Sequence, residues 1–323
     1  MKDKTLQGGV AKIPLGRYVL AVSGGVDSIV LLDLLAKQAK SPKLRVPSSD
    51  KKAPSSQLPV RSYKFVVAHF NHSIRLDSGE DEKLVADAAG KYGLRFKVGQ
   101  GRLGPGTSED QARAARYKFL ETVRKSCQAK TIITAHHQDD VIETAILNLL
   151  RGSGRRGLTA IIQNPRIIRP LAGISKRQII NYAQKNNLAW REDPTNIDSR
   201  YLRNYIRRYI MPSMKASDRQ RFLTIIERMA QLNGDIDSQL EQLSKFVRHG
   251  DNINRHNFIM LSTSIGRELL AYWLRELPDS RFDKKTVERL LIAVKTAKPG
   301  TRQVLGLGRE LIIDKIKAKF VKV

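Results

Sequence analysis

The segment Arg17-Tyr-Val-Leu-Ala-Val22, followed by Ser23-Gly-Gly-Val-Asp-Ser28, decides the fold of this chain. Its first part is a short apolar run rich in β-forming side chains, which predicts a buried strand. From Ile29 to Lys40 the apolar residues recur at helical spacing, so a helix follows directly. The polar residues therefore connect a strand to a helix. In an open parallel sheet, such a connection lies at the edge where ligands bind.

Strands and helices alternate beyond this segment. Further strands are predicted at Tyr63–Phe70, Leu94–Val98, Thr131–Ala135 and near Arg166–Arg169, and helices at Asp81–Tyr92, Glu109–Ala129 and Asp139–Leu150. Such alternation predicts an α/β fold built on a doubly wound parallel sheet. Residues 41–61 interrupt the pattern, and because they are rich in Pro, Ser and Lys we interpret them as a flexible insertion.

The pattern changes after Pro212. Helices are predicted at Arg219–Arg248, Gly266–Leu277 and Lys284–Thr296, and the tail from Gln303 to Val323 alternates like a strand. We therefore expect an α/β domain over residues 1–215 and a smaller, mainly helical domain over residues 216–323.

The charge balance points to a polyanionic partner. The chain carries 58 Lys and Arg against 31 Asp and Glu, a formal net charge of +27. A small-molecule enzyme gains nothing from this excess, whereas a nucleic acid is attracted by it. A generally basic proteome or a membrane-surface location would also account for the charge, so the function has to come from the motifs.

Cysteine content and hydropathy indicate the compartment. The single cysteine, Cys127, excludes an internal disulfide framework and a cysteine-rich zinc site, and it fits a reducing environment. The segment Met1–Gly9 is polar, and the sequence has no stretch of about 18 apolar residues. We therefore expect a cytoplasmic protein without a membrane partner, and the sequence is compatible with a homodimer.

The segment Ser23–Ser28 has the features of a phosphate-binding loop. Its two glycines let the backbone approach an anion closely, and the following helix N-terminus adds partial positive charge. Both serine hydroxyls are further donors. Asp27 would repel phosphate unless a cation lies between them, so we assign it to Mg²⁺. The lysine of a Walker A loop is absent, and two glycines alone would be ordinary turn chemistry.

The string Ser-Gly-Gly-Val-Asp-Ser resembles the signature of the N-type ATP pyrophosphatases, or PP-loop enzymes. That family cleaves ATP between its α- and β-phosphates and leaves an adenylated product. The resemblance implies that ATP, with Mg²⁺, is the ligand of the loop. The implied ATP contacts are Ser23, Gly24, Gly25, Val26, Asp27 and Ser28.

Two histidines follow the second strand in the string His69-Phe-Asn-His72. From the residues alone, they could be a metal pair, adenine contacts or ordinary loop polarity. The string continues into Ser73-Ile-Arg75 and resembles the corresponding segment of the tRNA(Ile)-lysidine synthetase family, a branch of the PP-loop enzymes. The resemblance implies ATP contacts for His69, Asn71 and His72.

The string Ala112-Arg-Ala-Ala-Arg-Tyr117 puts Arg113 and Arg116 on one helix face. A solvated basic face is the ordinary explanation for such a pair. The string also resembles the lysidine synthetase family, in which the second arginine faces the reacting groups. We therefore assign Arg116 to the substrate or to the charge that develops during adenylation, and Arg113 to tRNA binding.

Acids and a histidine align in the string Thr134-Ala-His-His-Gln-Asp-Asp-Val-Ile-Glu-Thr144. If the helix extends back as far as His136, then His136, Asp140 and Glu143 all project to one side of it. Acids at a helix start can also simply complement its dipole, which explains Asp139 well. The string resembles the TAHHxxDxxET segment of lysidine synthetases, which implies roles in binding the amine co-substrate and Mg²⁺. The predicted catalytic residues are Asp27, Arg116, His136, Asp140 and Glu143, and the predicted metal ligands are Asp27 and Asp140.

A basic zone follows this helix. Residues 151–215 hold 14 Lys and Arg against 3 Asp and Glu, a bias that suits contact with a phosphate backbone. Four strings resemble family segments in the same order: Leu149–Gly154, Arg169–Leu171, Trp190–Asn196 and Tyr201–Arg208. The predicted tRNA contacts are Arg113, Arg151, Arg203, Arg207 and Arg208.

The resemblance covers about the first two-thirds of the chain and implies a complete reaction. A tRNA(Ile) with a CAU anticodon is adenylated at the C2 oxygen of its wobble cytosine, with release of pyrophosphate. Free L-lysine then displaces AMP through its ε-amine. Residues 1–215 would be the PP-loop catalytic domain and residues 216–323 a tRNA-binding domain, in a short form without the additional C-terminal domain of longer members.

Three other functions compete with this one. A tRNA thiolase of this type relies on paired cysteines, whereas the chain has only Cys127. A GMP or NAD synthetase would not need so basic a surface. A non-catalytic RNA-binding module would not need an intact Ser23–Ser28 loop together with Asp140 and Glu143.

Overall fold

The structure is a computed structural model. It describes residues 5–40, 62–72, 78–101, 107, 109–164, 166–191, 202–277, 282–306 and 308–322. The predicted insertion at 41–61 lies outside the described residues, as do the family-like strings at 73–77 and 192–201. Within the described part of the chain, no helix combines the length and the apolar character that a membrane span requires.

The chain forms two compact units, Met1–Ala230 and Gln231–Val323. The division falls inside a long helix, Ala216–Val247, rather than at the expected boundary between residues 215 and 216. The first turns of this helix belong to the first unit because Leu223 and Ile226 are buried there, in one apolar cluster with Val141 and Ile161.

A parallel sheet with helices forms the first unit, which confirms the predicted α/β class. The strands are β1 (Gly16–Ala21), β2 (Tyr63–Asn71), β3 (Arg95–Gln100), β4 (Thr131–Ile133) and β5 (Ile167–Ile168), in the order β3-β2-β1-β4-β5. The helices are α1 (Leu6–Ala11), α2 (Val26–Lys40), α3 (Ser78–Lys91), α4 (Glu109–Ser126), α5 (Gln138–Leu150), α6 (Arg155–Leu158), α7 (Lys176–Lys185), α8 (Leu202–Tyr205), α9 (Met211–Ser213) and α10 (Ala216–Val247), with a π-helical segment at Ile206–Ile210.

Helix α2 lies at the centre of the unit. It follows directly from the phosphate-loop segment, and Val30, Leu31, Leu32 and Leu35 are all fully buried. Helix α7 packs against it through Ile179 and other small or apolar side chains. This packing fixes the start of α2 relative to the sheet edge, which is where the candidate site lies.

Strand β1 is the point at which the strand order reverses. Val19 pairs with Val66 of β2 on one side and with Ile132 of β4 on the other. The chain runs outward from β1 to β3 and then returns to β4 on the opposite side. The loops after β1 and β4 therefore lie side by side at the carboxyl edge of the sheet, and such switch points form ligand-binding crevices.

The second unit combines helices with an antiparallel sheet. Helices α11 (Arg255–Met260), α12 (Thr263–Glu276) and α13 (Lys284–Thr296) pack on strands β6 (Arg248–His249), β7 (Asn252–Asn254), β8 (Arg302–Gly306), β9 (Arg309–Ile313) and β10 (Lys317–Lys322). The described strands are ordered β6-β7-β10-β9-β8. The strand-like tail thus forms three strands, and Trp273 and Phe258 are fully buried between the layers.

Candidate active site

The loop after β1 adopts a conformation that needs glycine at one position. Gly24 has a φ of +94°, which disfavours any side chain with a Cβ atom. The loop is held from outside by Arg191, whose backbone N–H donates to the Gly24 carbonyl at 3.1 Å. The Arg191 guanidinium is paired with Asp81 of helix α3, at 2.9 Å. Helix α3 therefore helps to hold Arg191 against the loop.

The two serines of the loop have different positions. Ser28 is buried, donates its hydroxyl to the Gly25 carbonyl at 2.9 Å and accepts from the Ser23 N–H at 3.2 Å. Its side chain therefore shapes the loop. The Ser23 side chain is exposed and lies 3.3 Å from the Ser28 hydroxyl. Of the two predicted phosphate donors, Ser23 is the one that faces solvent.

Asp27, in the first turn of α2, pairs with a residue that the motif analysis missed. Lys176 places its ammonium nitrogen 2.8 Å from both carboxylate oxygens of Asp27. Lys176 is the first residue of α7, which begins with a capping box between Ser175 and Gln178. The spacing of serine and glutamine could have predicted this helix start from the sequence. Its proximity to Asp27 could not have been predicted, because it depends on the packing of α7 on α2.

His137 connects the phosphate loop to helix α5. It is the N-cap of α5, and its Nδ1 accepts from the Asp139 N–H at 3.2 Å. Its Nε2 lies 3.8 Å from an oxygen of Asp27 and 3.6 Å from an oxygen of Asp140. The sequence analysis assigned His136 to the site but did not predict that His137 would lie beside both the phosphate loop and Asp140. The reciprocal cap between His137 and Asp140 uses residue types outside the usual Ser/Thr-x-x-Glu/Gln signature, so no clear signal for it is visible in the sequence.

Asp140 is an ionised, largely buried acid. Burial alone would raise its pKa, but His137, His136, the backbone N–H of His137 and then Arg207 outweigh burial and hold the pKa of Asp140 below its usual range. The N–H of His137 donates to Asp140 at 2.9 Å. Asp140 therefore presents a fixed negative charge beside the loop.

His136 is held neutral in a basic environment. Its Nδ1 lies 2.7 Å from the Thr134 hydroxyl. Its pKa is lowered to about 3, with burial as the largest cause; Asp140 opposes this shift, and the charges of Arg169, Arg113 and Arg116 add to it. The predicted residues Arg113 and Arg116 thus lie near His136, and Arg169 joins them.

Glu143 is the most buried acid of the site, with 2% of its side chain exposed. Arg207 binds it through two hydrogen bonds, from Nε at 2.9 Å and from Nη2 at 2.8 Å. Arg203 lies 3.9 Å away and donates to the Thr144 hydroxyl at 2.8 Å. Burial raises the pKa of Glu143 in spite of Arg207. Arg203 and Arg207, two of the predicted tRNA contacts, therefore lie against Glu143 of α5.

The residues at the end of β2 and directly after it lie near the start of the phosphate loop, which His69 contacts. His69 is buried, and its Nδ1 lies 2.9 Å from the Val22 carbonyl. Asn71 is also buried, while the His72 ring packs edge-on against Phe70 at 4.9 Å between centroids. His69 contacts the loop backbone directly, which the three sequence-based alternatives for this histidine did not include.

The remaining predicted arginines, which are the catalytic candidate Arg116 and the RNA contacts Arg113, Arg151 and Arg208, divide into two groups. The guanidinium groups of Arg113 and Arg116 lie 5.0 and 5.7 Å from the centre of the Tyr117 ring and are half-buried. Arg151 and Arg208 have exposed side chains. The first pair therefore belongs to the site, and the second pair belongs to the surface beside it.

The donor set suits Mg²⁺ shared with a ligand. Asp27 and Asp140 each place a carboxylate oxygen close to His137 Nε2, at 3.8 and 3.6 Å. Among the described residues, no three His, Cys, Asp or Glu side chains are grouped so that they could hold a metal by themselves. Mg²⁺ typically takes one or two carboxylates together with substrate phosphates, so these two acids fit that kind of site.

Relatives of this chain were found at the level of sequence. It is 36% identical over 210 residues to the tRNA(Ile)-lysidine synthase of Geobacter sulfurreducens, covering 62% of this chain and 40% of that protein. It is 31% identical over 231 residues to the tRNA(Ile)-lysidine synthase of Chlorobaculum tepidum, covering 69% and 64%. The chain therefore spans less than two-thirds of the length of each of these two curated relatives.

A solved structure of similar fold and the model of a protein family also match this chain. The U34-tRNA thiolase NcsA of Methanococcus maripaludis superimposes with a TM-score of 0.53 at 18% identity, covering 70% of this chain and 77% of that one. At this identity the similarity concerns the fold alone. The model of the PP-loop domain matches residues 3–214, which include the loop after β1 and the acids of α5. The chain belongs to the PP-loop family.

Proposed function

We propose that this protein is a tRNA(Ile)-lysidine synthetase. It uses ATP to adenylate the wobble cytidine of tRNA(Ile) with a CAU anticodon and then joins free L-lysine to C2, releasing AMP and pyrophosphate. The observation that carries the proposal is the convergence of the phosphate loop, through His137, with Asp140 on α5. The names of the two curated relatives supply the substrate.

ATP would bind with its phosphates on the loop after β1. The exposed Ser23 hydroxyl is available as a donor there, and the N-terminus of α2 attracts negative charge. Lys176 is close enough to Asp27 to contact a phosphate bound beside it. Asp27 and Asp140 would hold Mg²⁺, whose charge would offset that of the departing pyrophosphate.

The adenylation step would use the basic group around His136. Negative charge develops on the phosphate oxygens while the cytosine oxygen attacks the α-phosphorus. Arg113, Arg116 and Arg169 lie near His136, where they can offset that charge in a partly buried site. His136 itself stays neutral, because burial depresses its pKa to about 3. It therefore contributes a hydrogen bond rather than a charge.

Lysine would enter beside Glu143. The Arg207 guanidinium already occupies this carboxylate, so the position accepts a cationic group. The attacking ε-amine must lose a proton to become a nucleophile. The raised pKa of Glu143 makes it a better proton acceptor than Asp140, whose pKa is lowered. We therefore assign the proton to Glu143.

The tRNA would lie along the basic zone of residues 151–215. The proposed contacts are Arg113, Arg151, Arg203, Arg207 and Arg208, with the second unit, Gln231–Val323, as an additional RNA-binding domain. A homodimer of this chain is a further part of the proposal, and equilibrium sedimentation tests it.

A thiolase activity is a weaker alternative, since the only cysteine, Cys127, is buried.

Labelled lysine tests the proposed function. The purified protein is incubated with ATP, labelled lysine and a tRNA(Ile) transcript carrying a CAU anticodon. We expect ATP-dependent label in the tRNA, with one pyrophosphate and one AMP released for each lysine. The same transcript with a GAU anticodon is the substrate control, and Asp27→Ala is the protein control. Pyrophosphate release without incorporation of lysine would contradict the assignment.

A further inference from the structure

Two tyrosines lie exposed and in contact on one helix of the first unit. Tyr205 and Tyr209 belong to the continuous helical stretch Leu202–Ser213, and 48% and 51% of their surfaces are exposed. Their ring centroids are 4.9 Å apart, with the planes inclined by 42°. Aromatic side chains are large and apolar, so an exposed pair is a sign of a binding surface.

The helix does not need these rings for its own anchoring. Ile206 is fully buried in the apolar cluster of α5 and α10, and Ile210 packs against the same cluster. Arg207 is bound to Glu143 on another face. The helix is therefore held by an apolar face and an ionic face, and the tyrosines lie on a third face that is open to solvent.

The backbone of this face is unusual. Residues Ile206–Ile210 form a π-helical turn, in which the Met211 N–H donates to the Ile206 carbonyl five residues earlier. Such turns are rare and occur frequently at functional sites. Arg208 and Tyr209 lie within this turn.

Positive charge accompanies the rings. The guanidinium of Arg208 is exposed and lies 5.7 Å from the centre of the Tyr209 ring. The surrounding zone, residues 151–215, carries 14 basic against 3 acidic residues. Aromatic rings interleaved with arginine suit a single-stranded nucleic acid, because bases stack on the rings while phosphates pair with the cations.

We propose that Tyr205 and Tyr209, with Arg208, form a stacking platform for unpaired bases of an RNA loop. The identity of that RNA as a tRNA anticodon loop rests on the proposed function, whereas the stacking chemistry does not. A duplex buries the faces of its bases in its own stack, so the platform selects unpaired nucleotides. Arg207, which directly precedes Arg208 in the helix, contacts Glu143. An RNA loop held on the platform therefore lies beside the candidate active site.

Binding of two labelled RNAs tests this platform. One probe is a stem–loop with a CAU anticodon loop, and the other is the same stem closed as a blunt duplex, both measured by fluorescence anisotropy without ATP or lysine. Tyr205→Ala and Tyr209→Ala should each weaken stem–loop binding by about 5-fold to 150-fold, the range for loss of one base–aromatic stack. Duplex binding should stay within 2-fold, roughly the scatter of surface substitutions.

Matched variants separate stacking from other causes. Tyr205→Phe and Tyr209→Phe keep the rings and should keep stem–loop affinity. Val98→Ala removes exposed apolar surface on β3, outside the platform, the basic zone and the second unit, and should change nothing. Circular dichroism and the thermal midpoint show whether each variant retains the fold.

Three results would overturn the platform: unchanged stem–loop affinity in both folded alanine variants, an equal loss with the duplex, or a loss in the phenylalanine variants as large as in the alanine ones. The binding experiment tests the platform separately from the proposed function, because it measures RNA affinity without ATP or lysine. An unaltered protein that binds the stem–loop through these rings but adds no lysine to tRNA would overturn the lysidine synthetase assignment and support the platform.

Discussion

The ammonium nitrogen of Lys176 lies 2.8 Å from both carboxylate oxygens of Asp27. Asp27 belongs to the first turn of α2, and Lys176 is the first residue of α7. The pair therefore joins two helix starts beside the phosphate loop. It keeps a cationic side chain next to the position proposed for the phosphates, and it balances the charge of the acid that we assign to Mg²⁺.

Lys176→Met should weaken ATP binding. A charge-assisted hydrogen bond contributes about 1.5–3 kcal/mol, so we expect the KM for ATP to rise by roughly 10-fold to 150-fold. Lys185→Met, at the exposed end of the same helix, is the matched control and should leave the KM unchanged. The measurement is pyrophosphate release at varied ATP concentration. Equal KM values for the two variants would show that Lys176 serves only to position Asp27.

The sequence predicted the sheet and the loop well because both depend on local patterns. The run Arg17–Val22 and the segment Ser23–Ser28 lie where they were expected, as a strand and a helix start. The alternation of strands and helices was also sufficient to predict parallel topology. These features need only hydrophobic periodicity and turn chemistry, both of which are visible in short windows of sequence.

Partners from distant elements could not be predicted in the same way. The pairing of Arg207 with Glu143 depends on how the helix at 202–213 packs on α5, and no local pattern encodes that contact. The sequence therefore assigned Arg203 and Arg207 to the RNA because both are basic residues in a basic zone. The contact of Lys176 with Asp27 was missed for the same reason, although the capping signal that starts helix α7 is local.

The neutral state of His136 should make the stability of the first unit depend on pH. Its pKa falls from about 6.5 in the unfolded chain to about 3 in the folded one. Between these values the unfolded state binds the additional proton, so stability decreases as the pH falls from about 7 towards 3. From pH 7 to pH 5 this residue alone should remove about 2 kcal/mol.

Urea unfolding at pH 7 and pH 5 measures this effect, with His136→Gln as the comparison. The variant cannot titrate at this position, so it should lose about 2 kcal/mol less than the unaltered protein over the same interval. His256→Gln, in the second unit, removes a histidine outside the site and serves as the control. Identical losses for all three proteins would mean that His136 accepts a proton in the folded state.

Binding of tRNA should weaken steeply with salt, and the exposed arginines should set part of the slope. Each phosphate contact contributes roughly 0.7–0.9 to the slope of log affinity against log salt. Arg151→Ala and Arg208→Ala should each reduce the slope by about one contact, because both side chains are exposed. Arg221→Ala, with 82% of its side chain exposed but outside the zone at 151–215, is the control. A slope that none of the variants alters would remove this zone from the interface.

Arg207 should be needed for stability more than for RNA affinity. Its removal leaves the buried Glu143 carboxylate without its two-point partner. Because Arg207 is 39% exposed and partly screened by solvent, we expect a loss of about 2 kcal/mol rather than the larger cost of a fully buried pair. The double variant Arg207→Met, Glu143→Gln should recover part of the loss, and Arg208→Ala should cost under about 0.5 kcal/mol. Independent, additive losses in the double variant would contradict the pairing.

Glu143→Gln should slow the lysine-dependent step more than the adenylation step. The substitution keeps the size of the side chain but removes the charge that would receive a cationic amine, so the discharge of adenylated tRNA should slow by roughly 100-fold. Single-turnover reactions with labelled ATP and labelled lysine follow the two steps separately. Asp139→Asn, one turn earlier on the same helix but paired with Arg219 at 3.4 Å, is the control and should leave discharge unchanged. If Glu143→Gln instead blocked adenylation while the discharge of preformed intermediate proceeded normally, Glu143 would serve ATP and Mg²⁺, and lysine would bind elsewhere.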